Sequence, residues 1–321
     1  MSSAIQPLEA LTSSLTISTK EASKLVGKLS DQKGRQSLAT LNQRVRAMLR
    51  PGNRGLDSFF YNVRPKDEAQ LAARESAPQG SIVVVMPDPD QPLVFFPDVV
   101  GFMSDKIHKD VGAISVAGLG SSSVGAVGFA RDVATATGLP VAAIASGYGL
   151  DDLMFEAVGG AFTLPLVNMT EWWFEQMRHS FAAIGFVPGL LANIEDLDAA
   201  GAGPDLGAAK SLMRPKRLPN LQWVVGHSKG NLALAGALAE LACEDTDYRL
   251  PGVNIVLLSA LTALPPHVGH PHQFIGSLDA FGKLNSRLNI KHKEVPGAMH
   301  HLNTKLPYAL NAVEQIRSII H

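Results

Sequence analysis

The sequence predicts an α/β protein, a mostly parallel sheet flanked by helices, and three observations carry that expectation. Residues 113–146 read as strand, glycine turn, helix and strand. Such a β-α-β unit implies parallel pairing through a right-handed crossover. Residues 221–242 read as a buried strand, a tight turn and an Ala/Leu-rich helix. Two more apolar runs, 253–259 and 274–279, follow as strands. With 321 residues and 46% hydrophobic content, the chain can bury one large core.

In chain order, residues 1–55 stand apart, with nine Lys/Arg against three Asp/Glu. Ser18 and Glu21 fit a capping box, and Ala22, Leu25, Val26 and Leu29 follow at helical spacing. Leu38, Leu41, Val45, Met48 and Leu49 mark a second amphipathic helix, stopped by Pro51-Gly52. Three readings fit this basic, Ser-rich segment: packing on the protein's own body, contact with a partner or membrane surface, or an organelle transit peptide. Residues 55–80 are polar and turn-rich and read as a connection, so 1–80 form a helical extension and 81–321 the main domain.

Ser81–Met86 is a strand, with Leu93–Pro97 as its hairpin partner. Ala113–Ala117 and Val141–Ser146 are the strands of the β-α-β unit, and the helix between them runs from Val124 to Thr137. Its turn, Gly118-Leu119-Gly120, lacks the third glycine of a dinucleotide fingerprint, since Ser123 stands there. Residues 111–130 are uncharged, but their glycines and serines favour strand-turn-helix over a membrane span. Residues 147–217 exceed what a crossover needs and form the insertion; Trp172-Trp173-Phe174 gives it an aromatic face, and 208–214 a short helix. His267, His270 and His272 have a spacing that can ligate zinc, yet no nearby carboxylate or cysteine completes a site, so they read as a Pro-rich surface loop. Leu310, Val313, Ile316 and Ile320 give a closing amphipathic helix.

The chemistry centres on Gly226-His227-Ser228-Lys229-Gly230. A G-x-S-x-G between a strand and a helix is a nucleophile elbow: the turn is strained, and glycines let the backbone pass close to its neighbours. Ser228 then lies at a helix N-terminus, which favours developing negative charge. With Phe274–Asp279, a strand ending in a carboxylate, and Pro296-Gly297-Ala298-Met299-His300, the chain resembles the α/β-hydrolase superfamily over roughly residues 111–321. The order Ser…Asp…His is that superfamily's order. The resemblance implies an α/β-hydrolase fold, with Lys293–Leu302 as the family's final strand and its G-x-x-H, and a lid in the insertion. It also implies a triad of Ser228, Asp279 and His300, and oxyanion donors at Lys229 and at Leu119 or Gly120. The P-G-x-x-H register assigns His300; the adjacent His301 is the alternative base, because neighbours on an extended segment face opposite ways.

What this implies is an esterase or lipase-like serine hydrolase for a small-molecule or lipid-like ester, without metal or organic cofactor. The alternatives are an acyltransferase or thioesterase with the same triad, or a non-catalytic binding protein on the same fold. A net charge of −1 gives no sign of a nucleic-acid partner. A single cysteine, Cys243, excludes an internal disulfide, and no secretory signal is legible, so the expected location is the cytoplasm, or an organelle if the basic N-terminus is a transit peptide.

Overall fold

The structure, a computed structural model, describes residues 57–72, 78–118, 121–146, 204–266 and 268–320. They belong to one compact unit, Asn53–Glu156 with Leu197–His321. The two helices expected within 1–55, the Trp172-Trp173-Phe174 face and most of the lid-like insertion lie outside the described residues.

Eight strands form the sheet: β1 Ile82–Val85, β2 Val94–Phe96, β3 Ala113–Val116, β4 Val141–Ile144, β5 Trp223–His227, β6 Asn254–Leu258, β7 His270–Gly276 and β8 Lys293–Val295. Their spatial order is β2-β1-β4-β3-β5-β6-β7-β8. β1 runs antiparallel to both of its neighbours, and every other pair is parallel. The α/β expectation of a mostly parallel, helix-flanked sheet is met.

The central strands are apolar at consecutive positions because both faces are covered. Ile82 and Val84 of β1 join one core cluster, while Val83 and Val85 join the other. α4 (Pro204–Met213) and α5 (Lys229–Glu244) cover the first face, and α4 packs on α5. α3 (Ser123–Thr137) and α7 (Ala312–Ile320) pack together on the second. Each fully buried Ile or Leu adds roughly 1.5–3 kcal/mol. Ser122 caps α3 by accepting the Val124 N–H at 3.0 Å. Gly138 ends it in the left-handed region, where glycine carries no Cβ penalty. Two shorter helices are α2 (Val99–Ser104) and α6 (Ala280–Leu284).

The chain steps from β3 outward to β4, then returns to build β5 and β6 on the other side of β3. That reversal puts a crevice outside the carboxyl ends of β3 and β5, the usual place for a ligand in such sheets.

Two local readings are corrected. The 55–80 stretch is more than a connection. It carries α1 (Pro65–Ala72), and Asp57, Tyr61 and Asp67 are buried. Asp67 forms a buried pair with Arg131 of α3, whose guanidinium also donates to the Met86 carbonyl at 3.1 Å. The short helix expected at 208–214 is present as α4, which starts four residues earlier and buries Leu206, Leu212 and Met213. His270 and His272 lie on β7 and not in a loop, with His270 in register with Asn254 of β6; His267 is outside the described residues. No helix among the described residues is long and apolar enough to cross a membrane.

Candidate active site

β5 ends at His227, and the chain turns sharply into α5 through Ser228, at φ 52° and ψ −118°. A non-glycine residue there is strained, and such strain persists only where the surroundings hold it. The Ser228 N–H is held by the Leu258 carbonyl at 2.9 Å. The turn also needs its glycines. A Cβ on Gly230 would lie 2.1 Å from the Val116 carbonyl oxygen, and one on Gly226 2.8 Å from Leu234 Cδ1. Asn231 ties the first turn of α5 to β6, donating to the Leu258 and Ala260 carbonyls at 2.9 and 2.8 Å.

Ser228 stands at the N-cap of α5, yet its side chain makes no capping bond. Serine normally caps a helix there. Its Oγ lies instead 3.0 Å from His300 Nε2. His300 Nδ1 in turn lies 2.9 and 3.0 Å from the two carboxylate oxygens of Asp279. A carboxylate only accepts, so Nδ1 carries the proton and Nε2 is left to accept from the serine hydroxyl. All three side chains are buried.

Burial pushes the Asp279 carboxyl up, but the neighbouring His300, its hydrogen bond and the Gly282 N–H at 2.6 Å outweigh it, so the group is held below the usual carboxylate range. Asp279 is reached through a turn after β7, and His300 through the Pro296–Met299 turn after β8. Both therefore arrive at the rim where Ser228 sits. The Phe281 ring meets His300 edge-on, centroids 4.7 Å apart, and Phe60 does so at 6.0 Å.

His301 faces another way. Its Nε2 donates to the Pro307 carbonyl at 3.0 Å and its ring packs on Phe59. Burial pushes its imidazole below the ordinary histidine value. Of the expected oxyanion donors, Lys229 opens α5 directly after Ser228, while Leu119 and Gly120 lie outside the described residues. Gly118, just before them, packs against Ser228, because a Cβ there would come 3.1 Å from Ser228 Cβ. Among the described residues no group of three or more His, Cys, Asp or Glu is arranged to hold a metal. A cleft of about 820 Å³ between the 262–272 segment and Lys291–Lys293 shares no residue with Ser228, Asp279 or His300.

Sequence reasoning missed two residues of this site. His227 was only the variable position of the pentapeptide, and Tyr61 lay in the supposed connection. Both are buried and hydrogen-bonded to each other at 2.9 Å. The one local signal for Tyr61 is the aromatic run Phe59-Phe60-Tyr61 inside a polar stretch.

No protein-family model matches the chain, and a search of the curated proteins finds no match.

Proposed function

We propose that the protein is a serine hydrolase of the α/β-hydrolase type that cleaves a carboxylic ester through an acyl-enzyme on Ser228. The observation that carries the reading is Ser228 Oγ at 3.0 Å from His300 Nε2, with the other ring nitrogen on Asp279. A neutral hydroxyl is a weak nucleophile and needs a base within hydrogen-bond reach. As Oγ attacks the ester carbonyl, His300 takes its proton and then gives it to the leaving alcohol. Asp279 holds the tautomer and stabilises the imidazolium that forms. The tetrahedral oxyanion is assigned to backbone N–H groups at Lys229 and in the Leu119–Gly120 stretch. Water, deprotonated by His300, then attacks the acyl carbonyl; the bond to Oγ breaks, His300 returns the proton to Oγ, and the acid leaves.

An acyltransferase or thioesterase would run the same first half-reaction. A non-catalytic binding protein would not need a strained serine whose hydroxyl forgoes its cap for a histidine. The test is labelling with a fluorophosphonate, with Ser228→Ala as control, followed by p-nitrophenyl esters of graded chain length. Covalent labelling of Ser228 and turnover of at least one ester are expected. An unlabelled, folded protein that turns over no ester overturns the proposal.

A further inference from the structure

We infer that the Tyr61 hydroxyl is a positioning group for this chemistry, tying the loop between β3 and α3 to the backbone of His300 through His227. The inference rests on the hydrolase reading and adds to it a residue far from the pentapeptide.

The direction of every hydrogen bond in the chain is forced. His227 Nε2 lies 2.9 Å from the His300 carbonyl oxygen. A carbonyl cannot donate, so Nε2 carries the proton and Nδ1 is bare. Tyr61 Oη lies 2.9 Å from that Nδ1 and therefore donates to it. A phenol has one proton and two acceptor sites. Both sites are used, by the Gly118 N–H at 2.7 Å and the Ser121 hydroxyl at 3.1 Å. Burial pushes the His227 imidazole down to about 3 and holds the Tyr61 phenol well above its ordinary value. Both stay neutral at working pH, and the pattern does not reverse.

Gly118 and Ser121 bracket Leu119 and Gly120, the stretch assigned to the oxyanion. At the far end of the chain, the His300 carbonyl belongs to the base itself and is held also by the Ser259 hydroxyl at 3.3 Å. One hydroxyl thus holds Gly118 and Ser121, which flank the stretch assigned to the oxyanion, and, through His227, the backbone of the residue that moves the proton. The Tyr61 ring is locked for this task, edge-on to His227 at 5.5 Å and against Phe129 at 5.9 Å. Tyr61→Phe leaves that packing in place and strands three buried polar groups.

Small displacements of a reacting group cost up to about a hundredfold in rate. In the full chain, Tyr61→Phe is expected to lower kcat on a responsive p-nitrophenyl ester by about 10- to 100-fold, with KM within about threefold. Rescue separates positioning from packing. His227→Gln keeps an N–H for the His300 carbonyl and is expected to run at least about tenfold faster than His227→Leu, which has none. A Tyr61→Phe enzyme with wild-type kcat, a loss confined to KM, or His227→Gln no faster than His227→Leu overturns the inference. If Tyr61→Phe does not fold, Ser121→Ala decides: a lower kcat at unchanged KM supports positioning, and an unchanged kcat overturns it. Should the wild type prove inert to fluorophosphonate and esters, the hydrolase reading fails separately. ¹⁵N NMR of His227 then judges the hydrogen-bond chain: an Nε2–H tautomer lost in Tyr61→Phe supports it, and an Nδ1–H tautomer in the wild type refutes it.

Discussion

Arg131→Met is expected to destabilise the sheet unit severely. The Arg131 and Asp67 side chains are each only 3% exposed and meet through two hydrogen bonds, at 2.9 and 3.2 Å. Removing the guanidinium strands a buried carboxylate, which typically costs about 3–5 kcal/mol. It also frees the Met86 carbonyl, worth about 1 kcal/mol more. Against a typical total of about 5–15 kcal/mol, the loss is about a quarter or more. Replacing both partners, as Asp67→Leu with Arg131→Met, removes the uncompensated charge and should recover most of the loss, leaving about 1–2 kcal/mol for the orphaned carbonyl. Urea unfolding followed by far-UV circular dichroism measures all four corners of the cycle. The reasoning is refuted if the double variant is no more stable than Arg131→Met alone.

Three further outcomes are expected. Gly230→Ala, whose Cβ would meet the Val116 backbone oxygen at 2.1 Å, should yield insoluble or unfolded protein. Gly138→Ala, with open space around a φ of 71°, should cost only about 1 kcal/mol by urea midpoint. Burial raises the Asp57 and Asp132 carboxyls to about 7 from 3.8, against the hydrogen bonds of Ser122 and Asn62 respectively. Folded protein thus holds extra protons between about pH 4 and 7, and stability from these groups falls as pH rises through that window. His227, depressed to about 3, acts oppositely and loses stability as pH falls below about 6.5. The comparison isolating the carboxylates is wild type against Asp57→Asn: the variant should gain relative stability from pH 5 to pH 8, and a pH-independent difference would contradict this. Finally, a chain starting near residue 55 should fold and keep its fluorophosphonate labelling. One starting at residue 81 loses Asp57, Tyr61 and Asp67 and should melt far lower or fail to fold; equal melting curves would refute their structural role.

Much of this architecture was legible because its signals are local. Val83-Val84-Val85 and Val224-Val225 are short β-branched apolar runs, the pattern of a strand covered on both faces. Ser228 declares itself through its neighbouring glycines, whose missing Cβ atoms are needed within one turn of chain. His300 was separable from His301 by the register of Pro296-Gly297, and the structure brings His300 to Ser228 while turning His301 to Pro307. What stayed hidden depends on partners distant in sequence. Tyr61 pairs with a histidine 166 positions away, and Asp67 with an arginine 64 positions away. A polar residue that will be buried against a distant partner looks, locally, like any residue of a polar loop. His270 and His272 misled for the related reason that prolines beside them suggested a loop, whereas pairing with β6 imposes a strand.

The measurement that bears most directly on the central claim is kcat on one responsive p-nitrophenyl ester for Ser228→Ala, His300→Ala, His301→Ala and Asp279→Asn. Loss of the nucleophile or the base lowers the rate by roughly three to six orders of magnitude, and Asp279→Asn, by presenting the wrong histidine tautomer, by about four. His301→Ala, which loses one bond to a carbonyl, should stay within about tenfold of wild type. The account predicts that His300→Ala falls with Ser228→Ala while His301→Ala remains active. A fully active His300→Ala enzyme would contradict it.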